Sequence, residues 1–223
     1  MQQTETRFTQ KTIEIPVTGI QLKAQLTIPG LARGVVVFAH GFGSTCFSRR
    51  NQLVAAKLQN EGIGTLLLDL LAPGEKYDPE MTGDIDLLAR RLAGVTEWLM
   101  VTHQTADFPI GLFGSGTGSA AALEVAASMP DVIHAVVSRG GRPDLADSWL
   151  PLVEAPTLLL VGNLDNQVME LNRRAMRCMD CTCELVSVAG ATHRFPEQGT
   201  MDQVAVMARD WFVKYLNGKE DWQ

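Results

Sequence analysis

One stretch decides the fold: Phe108-Pro-Ile-Gly-Leu-Phe-Gly-Ser-Gly-Thr-Gly-Ser-Ala-Ala-Ala-Leu123. It begins as a short apolar strand over 108–113, turns through glycines over 114–118, and continues as a helix to about residue 129. A strand, a sharp turn and a helix in this order expose the residue at the turn and direct backbone N–H groups towards it. We therefore predict a site at the end of this strand, centred on Gly116.

The turn has the spacing of a nucleophile elbow, G-x-S-x-G, without its serine. Gly114 and Gly118 are the outer glycines, and the central position is Gly116. Glycine adopts the backbone angles of such a corner freely, whereas a residue with a Cβ adopts them at a cost of about 1–3 kcal/mol. We therefore expect the fold to tolerate Gly116, and the usual route through an acyl-enzyme to be lost.

Apolar runs and amphipathic stretches alternate along the rest of the chain. The predicted strands are a hairpin over 8–16 and 19–28, then 34–39, 63–69, 132–138, 156–162 and 184–189. The other predicted helices are 48–61, 84–101, 168–178 and a last one from a Thr200–Gln203 capping box to Gly218, with a loop over 71–82. This order predicts an α/β fold, a doubly wound, mostly parallel sheet with an antiparallel N-terminal hairpin and no cap domain, in a single domain over 1–223.

An acid and a histidine follow the last two predicted strands, at the edge of the sheet where open α/β folds bind ligands. They are Asp165 and His193. A corner, an acid and a histidine in this chain order are the arrangement of the α/β-hydrolase triad, in which the acid orients the imidazole and the imidazole takes the nucleophile's proton. Singly, Asp165 could form a turn and His193 could lie in a surface loop, but together they favour a triad.

Oxyanion donors and substrate-binding residues are predicted at the same edge. The glycine-rich loop that starts at His40 would supply the N–H group of Phe42, and Thr117, directly after the corner, would supply a second. Predicted substrate-binding residues are His40, Ser115, Arg139 and Arg142. The two arginines suit the binding of a substrate carboxylate. An equally favoured alternative is that they are solvated at the surface or make helix-capping contacts. A structural role is favoured for Asp69.

Together these motifs resemble the dienelactone hydrolase-like branch of the α/β-hydrolase superfamily over nearly the whole chain. The resemblance is carried by HGFGST at 40–45, LLLDLL at 66–71, GLFGSGTG at 111–118, SRGGRPDL at 138–145, VGNLD at 161–165 and GATHRF at 190–195. It implies a hydrolase of carboxylic esters or lactones that uses no cofactor. Family members would carry serine at the position of Gly116, and this chain departs from the pattern there.

The glycine leaves three explanations open. In the first, the chain is an active-site variant of a hydrolase. In the second, it is a natural non-hydrolase that uses the pocket for binding, or uses His193 and Asp165 as a general base on water. In the third, Ser115 has become the nucleophile. The third is favoured least, because a shift by one residue points the side chain away from the corner. Intact oxyanion donors would still allow slow hydrolysis. A pure binding protein would bind an ester or acid without turnover.

A dinucleotide-binding function fits fewer residues. Gly116, Gly118 and Ala121 after a strand match the G-x-G-x-x-A fingerprint. The next strand ends in Ser138-Arg139 rather than in an acid, which would suit at most a 2′-phosphate. This alternative also leaves the predicted acid and histidine without a role, so we expect no cofactor.

Composition narrows the range of partners. The chain is 46% hydrophobic and 20% charged, with a net charge of −6 and a pI near 5.2. This balance argues against nucleic acid and anionic membranes as partners. No apolar run approaches the roughly 20 residues of a membrane span and no secretory signal is visible, so a cytoplasmic location is predicted. The expected partner is a small-molecule ester, lactone or carboxylate, and a homodimer is left open.

The cysteines do not form the pattern of a disulfide-stabilised protein. Three of the four are close together, as Cys178-x-x-Cys181-x-Cys183, and this spacing could bind a soft metal ion. No second group of ligands completes a four-coordinate set. We therefore predict no metal site, and thiols that pack as small apolar groups between a helix and a strand.

Overall fold

An eight-stranded sheet forms the centre of the computed structural model, which describes residues 8–40, 45 and 47–216. Its strands are β1 (Phe8–Val17), β2 (Ile20–Pro29), β3 (Val35–His40), β4 (Gly64–Leu68), β5 (Ile110–Ser115), β6 (Ile133–Arg139), β7 (Thr157–Gly162) and β8 (Cys183–Val188). Across the sheet they lie in the order β1-β2-β4-β3-β5-β6-β7-β8. β2 pairs antiparallel with β1 and with β4, and the other neighbours are parallel. The predicted α/β fold with an antiparallel start is confirmed.

Helices cover both faces of this sheet. They are α1 (Arg49–Asn60), α2 (Pro79–Gly83), α3 (Ile85–Val101), α4 (Thr117–Ser128), α5 (Asn166–Cys178) and α6 (Thr200–Tyr215). α1 and α6 pack on one face, and α3, α4 and α5 pack on the other. Because both faces are covered, β3, β5 and β7 are buried at every residue, as their continuous apolar runs predict. Within the described residues, no helix has both the length and the apolar character needed to cross a membrane.

The segment predicted as a loop contains short helices. The stretch 71–82 includes a 3₁₀ turn, Glu75–Tyr77, and most of α2. α2 begins at Asp78-Pro79, where the Asp78 carboxylate accepts from the N–H of Glu80 at 2.9 Å. A capping acid followed by proline at the first helical position is a start signal, and it outweighs the loop-like composition. A second 3₁₀ segment, Pro143–Leu152, joins β6 to β7.

The predicted capping box at the start of α6 is wrong. Thr200 is the first helical residue, and its hydroxyl donates to the carbonyl oxygen of Glu197 at 2.7 Å instead of accepting from the helix. The capping position is occupied by Gly199, whose φ of 79° lies in the left-handed region that favours glycine. Gly218, the predicted end of this helix, lies outside the described residues.

An ion pair between a buried arginine and a half-buried glutamate fixes the segment that follows β4. Arg91 of α3 is only 4% exposed, and its Nη1 and Nη2 donate to the two oxygens of Glu75 at 2.6 and 2.8 Å. Nη1 also donates to the carbonyl oxygen of Leu70 at 2.9 Å. The hydrogen bonds from Arg91 lower the pKa of Glu75 below its ordinary value. The folded state therefore favours the ionised form of Glu75.

We expect Glu75→Gln to lower the free energy of unfolding by about 3 kcal/mol at neutral pH, because it leaves the Arg91 guanidinium buried without a counter-charge. Since the pKa of Glu75 is lower in the folded state, its contribution is complete above the ordinary value of 4.5 and is lost as the pH falls through the folded-state value. Urea unfolding measures both effects.

Glu170→Gln is the matched control for this prediction. Glu170 pairs with arginines on the exposed surface of α5, so we expect a loss below about 1 kcal/mol. Equal losses in the two variants would contradict the role assigned to the pair of Arg91 and Glu75.

Candidate active site

Gly116 lies at the corner between β5 and α4 with φ 56° and ψ −129°, a backbone conformation that favours glycine. A Cβ built on Gly116 would meet nothing within 4 Å. Position 116 therefore has room for a side chain, and the cost of placing one there comes from the backbone alone.

The outer glycines of the corner are required by close packing. A Cβ on Gly114 would lie 2.5 Å from the Cα of Ser119, and a Cβ on Gly118 would lie 2.5 Å from the carbonyl oxygen of Ala39. Both obstacles are backbone atoms, which cannot rotate away as a side chain can. These glycines bring α4 against β5 and β3, and so set the position of the corner.

The carbonyl group of Gly116 is fixed by hydrogen bonds. It accepts from the hydroxyl of Ser119 at 2.7 Å and from the N–H of Arg142 at 3.1 Å. The Ser119 hydroxyl in turn accepts from the Arg142 N–H at 2.9 Å. Because Ser119 is fully buried, this network keeps the corner and the segment after β6 in one arrangement.

Asp165 and His193 form a direct contact. Nδ1 of His193 lies 2.7 Å from Oδ2 of Asp165, while Oδ1 of Asp165 accepts from the N–H of Val168 at 3.2 Å at the start of α5. The Asp165 side chain is 14% exposed and the His193 side chain is 51% exposed. One carboxylate oxygen thus anchors the acid to its helix, and the other orients the imidazole, whose Nε2 takes no part in this contact.

The loop that carries His193 has a constrained backbone. The N–H and hydroxyl groups of Thr192 donate to the two oxygens of Glu197 at 3.1 and 2.5 Å. Phe195 has a φ of 54° although it is an aromatic residue, and it is 2% exposed. A bulky residue keeps such an angle only where its surroundings enforce it. Here the Phe195 ring packs close to Gly140, at the end of β6.

The corner and the Asp165–His193 pair face one cavity of about 390 Å³. Its lining residues are Gly116, Thr117, Arg142, Asp165, Gln167, Val168, Leu171, His193 and Arg194. The structure therefore brings together five of the residues singled out from the sequence: the corner, the residue after it, one arginine, the acid and the histidine.

The predicted oxyanion donors are described only in part. Thr117 is the first residue of α4, and the N–H groups at the start of a helix have no partner within the helix. It lines the cavity directly beside the corner. Phe42, the other predicted donor, lies outside the described residues.

Three predicted substrate-binding residues do not line this cavity. His40, Ser115 and Arg139 pair in register at the ends of β3, β5 and β6, and the same row continues to Leu160. Partners in a parallel sheet point to the same face, and Leu160 belongs to the core beneath α1 and α6. All three are buried. His40 contacts Asp69, with Nε2 2.6 Å from Oδ1.

Arg142 lines the cavity, with its guanidinium already bound to an acid. Its Nε and Nη2 donate to the carboxylate of Asp144 at 2.8 and 2.7 Å, and these hydrogen bonds raise the pKa of Arg142. The arginine therefore faces the cavity in a fixed orientation, and its Nη1 takes no part in the hydrogen bonds to Asp144.

The Cys181 and Cys183 thiols near the end of α5 are held in their neutral form. Burial raises the pKa of the Cys183 thiol to about 12 and also raises that of Cys181, which disfavours the thiolate that a metal would bind. The Cys183 thiol contacts the thioether of Met179 at 3.7 Å. In the part of the chain that the structure describes, no three potential ligands among His, Cys, Asp and Glu cluster together.

Two residues that shape the site were missed in the sequence. Ser119 fixes the Gly116 carbonyl, but a serine in the first turn of a helix is too common to signal that role. Phe195 carries an unfavourable backbone angle, which follows from packing against Gly140 and has no counterpart in local sequence.

Comparisons with known proteins agree with the fold described above. The model of a family described as the dienelactone hydrolase family matches residues 22–216. The crystal structure of a dienelactone hydrolase from Anabaena variabilis superposes with a TM-score of 0.91 and 44% identity, covering 94% of this chain and 99% of that one. Est1E from Butyrivibrio proteoclasticus superposes with a TM-score of 0.78 at 16% identity, covering 91% of this chain and 98% of that one, which supports the fold alone.

Two curated relatives from strains of Mycobacterium tuberculosis are longer proteins. Each is named "Putative phosphoribosyl transferase" and is 50% identical to this chain over 204 residues. The match covers 92% of this chain and 45% of each relative. The chain thus spans less than half the length of these relatives, and their name refers to the longer proteins.

Proposed function

The chain belongs to the dienelactone hydrolase family, and we propose that the cavity at its corner is the active site of a carboxylic-ester or lactone hydrolase that lacks its nucleophile. One observation supports this above the others: the 2.7 Å contact between His193 and Asp165 lies in the same cavity as Gly116. A carboxylate on Nδ1 favours the tautomer whose Nε2 is free to act as a base.

In the proposed reaction, a hydroxyl at position 116 attacks the carbonyl carbon of the ester, and Nε2 of His193 takes its proton. Backbone N–H groups would stabilise the negative charge on the former carbonyl oxygen, and the N–H of Thr117, the first residue of α4, is proposed as one of them. The alcohol leaves with the proton from His193, and water completes the hydrolysis by the same route. Gly116 has no oxygen, so in this chain the first step is blocked and hydrolysis is impaired.

The proposed substrate carries a carboxylate or another anionic group. Arg142 and Arg194 both line the cavity. A guanidinium that is already oriented, as Arg142 is by Asp144, binds an anion with little further ordering. Such a substrate would be a small ester or lactone, and the proposal invokes no cofactor.

A second candidate function uses the same pair without a nucleophile. The contact between His193 and Asp165 is intact although position 116 carries no side chain. His193 would then act as a general base on water, or the cavity would bind a carboxylate without turnover. Neither function uses a serine nucleophile, and both take the same class of ligand.

Covalent labelling tests the proposal directly. We expect a fluorophosphonate probe to label the Gly116→Ser variant at position 116, because the hydroxyl attacks phosphorus, fluoride leaves and His193 accepts the proton. The unaltered chain is expected to stay unlabelled. Peptide mass spectrometry locates the adduct.

Ser115→Ala in the Gly116→Ser background is the control, and we expect it to keep the label, since Ser115 is a buried strand residue that does not line the cavity. An adduct on Ser115 in the unaltered chain would contradict the proposal and identify Ser115 as the nucleophile.

A further inference from the structure

Arg139, the last residue of β6, is a buried cation with an incomplete set of partners. It is 7% exposed and lies on the face of the sheet that α1 and α6 cover. A guanidinium has five N–H donors. The one side-chain contact of Arg139 among the described residues runs from Nη1 to the thioether sulfur of Met201 at 3.8 Å, and a thioether is a weak acceptor. No carboxylate in the described part of the chain forms an ion pair with Arg139.

Arg91 shows how the same chain treats a buried arginine that has a structural role. Arg91 is 4% exposed, and its Nη1 and Nη2 donate to both oxygens of Glu75 and to the Leu70 carbonyl, while its Nε has no partner among the described residues. Buried charges in proteins are paired, because an unpaired one pays the full loss of hydration. Arg139, by contrast, has no carboxylate among the described residues to offset its charge, which leaves that charge available to an added anion.

The surroundings of Arg139 add further positive charge. Burial and the neighbouring charge of Arg50 lower the pKa of Arg139 to about 10, so the guanidinium is still protonated at neutral pH. Met201, its contact, lies in the first turn of α6, the positive end of the helix dipole. No side chain caps that helix at Gly199. The Arg139 guanidinium therefore contacts a side chain at the uncapped start of α6, and the charge of Arg50 adds to the positive potential around it.

We propose that Arg139, with Arg50 and the first turn of α6, forms a binding site for a small oxyanion, a phosphate or a carboxylate. The site is separate from the cavity at the corner, because Arg139 does not line that cavity. Phosphate and carboxylate oxygens match both the fork of a guanidinium and the N–H groups of a helix start.

The proposed anion site lies next to the loop that carries His193, which we call the histidine loop. Nη1 of Arg50 donates to the carbonyl oxygen of Arg194 at 2.8 Å. Gly140, next to Arg139, packs so closely on the carbonyl oxygen of His193 that a Cβ would lie 3.0 Å from it. A bound oxyanion would thus stabilise Arg50 and Gly140, the two residues that contact the histidine loop. The binding of an oxyanion does not depend on the proposed hydrolase activity. An effect of that binding on His193 as a catalytic base rests on the proposed function.

Thermal unfolding in phosphate, acetate or chloride at one ionic strength tests the site. We expect millimolar phosphate or acetate to raise the Tm of the unaltered chain by about 2–5 °C over chloride. The larger response distinguishes a phosphate from a carboxylate ligand. Titration calorimetry with inorganic phosphate and with acetate measures the same binding without any variant.

Arg139→Met should remove the anion response and, in chloride, have a Tm equal to or above that of the unaltered chain, because it removes an unpaired buried charge. Arg50→Met should weaken the response, and Arg177→Met, a change on the exposed surface of α5, should leave it intact. The proposal is overturned if neither anion binds the unaltered chain. It is equally overturned if Arg139→Met keeps the full response, or if it lowers the Tm in chloride. The labelling of Gly116→Ser is unaffected by any of these results.

Discussion

The Gly116→Ser variant is expected to hydrolyse p-nitrophenyl acetate at least about 10³-fold faster than the unaltered chain, because removing the nucleophile of a serine hydrolase costs up to about 10⁶-fold in kcat. The other residues of the proposed site surround the corner: Asp165 contacts His193, and Thr117 is the first residue of α4. A Cβ at position 116 meets no atom within 4 Å. The serine therefore enters an existing site without moving a neighbour. Initial rates at saturating ester give the comparison.

Two controls separate a restored triad from a general improvement of the fold. Gly116→Ala carries the same backbone cost as serine, about 1–3 kcal/mol, and should give no gain in rate. His193→Ala in the Gly116→Ser background should remove most of the gain, since the serine loses its base. If Gly116→Ser hydrolyses no faster than Gly116→Ala, the pocket has diverged from hydrolysis and the ligand-binding function is favoured.

The elements that position the site were predictable because their signals are local. Gly114 and Gly118 flank a turn after an apolar run, and their spacing alone placed the corner that close packing then explains. Asp165 and His193 are 28 residues apart, but both follow strands that end at the same edge of the sheet. Chain order was therefore enough to predict that they belong together.

The sequence did not show which face of the sheet each strand-end side chain occupies. β3 and β5 are buried on both faces, so their residues show no alternation of polar and apolar types. His40 and Ser115 were for that reason grouped with the residues around Gly116, whereas the strand register places them in the row of Arg139. Register is a property of the assembled sheet, and single strands do not encode it.

Interactions across long stretches of chain were hidden for a related reason. Glu75 and Arg91 are 16 residues apart, one in a turn and one on a helix, and nothing in either local pattern marks them as partners. At the start of α6 the sequence signal was local, and the prediction made from it was wrong. Thr200 fitted a local capping signal, yet the left-handed backbone at Gly199 takes the capping position. A local motif predicts a helix start only where the preceding backbone permits it.

The second large effect is expected at the acid of the pair. In the Gly116→Ser background, Asp165→Asn should lower kcat by about 10³- to 10⁴-fold with little change in KM, because the amide no longer favours the tautomer of His193 that leaves Nε2 as the base. The Val168 N–H can still donate to the amide oxygen, so the start of α5 should remain intact. Steady-state kinetics and far-UV circular dichroism check both expectations.

Asp69→Asn in the same background is the matched comparison, since Asp69 also contacts a histidine at a strand end. His40, its partner, is buried in the row beneath α1 and α6 and does not line the cavity, so we expect a loss of at most about 10-fold. Comparable losses in the two variants would mean that Asp165 acts only by supporting the fold. A loss confined to Asp165→Asn, with circular dichroism unchanged, would assign the contact between Asp165 and His193 to catalysis, because Asp69 also contacts a histidine but one that does not line the cavity.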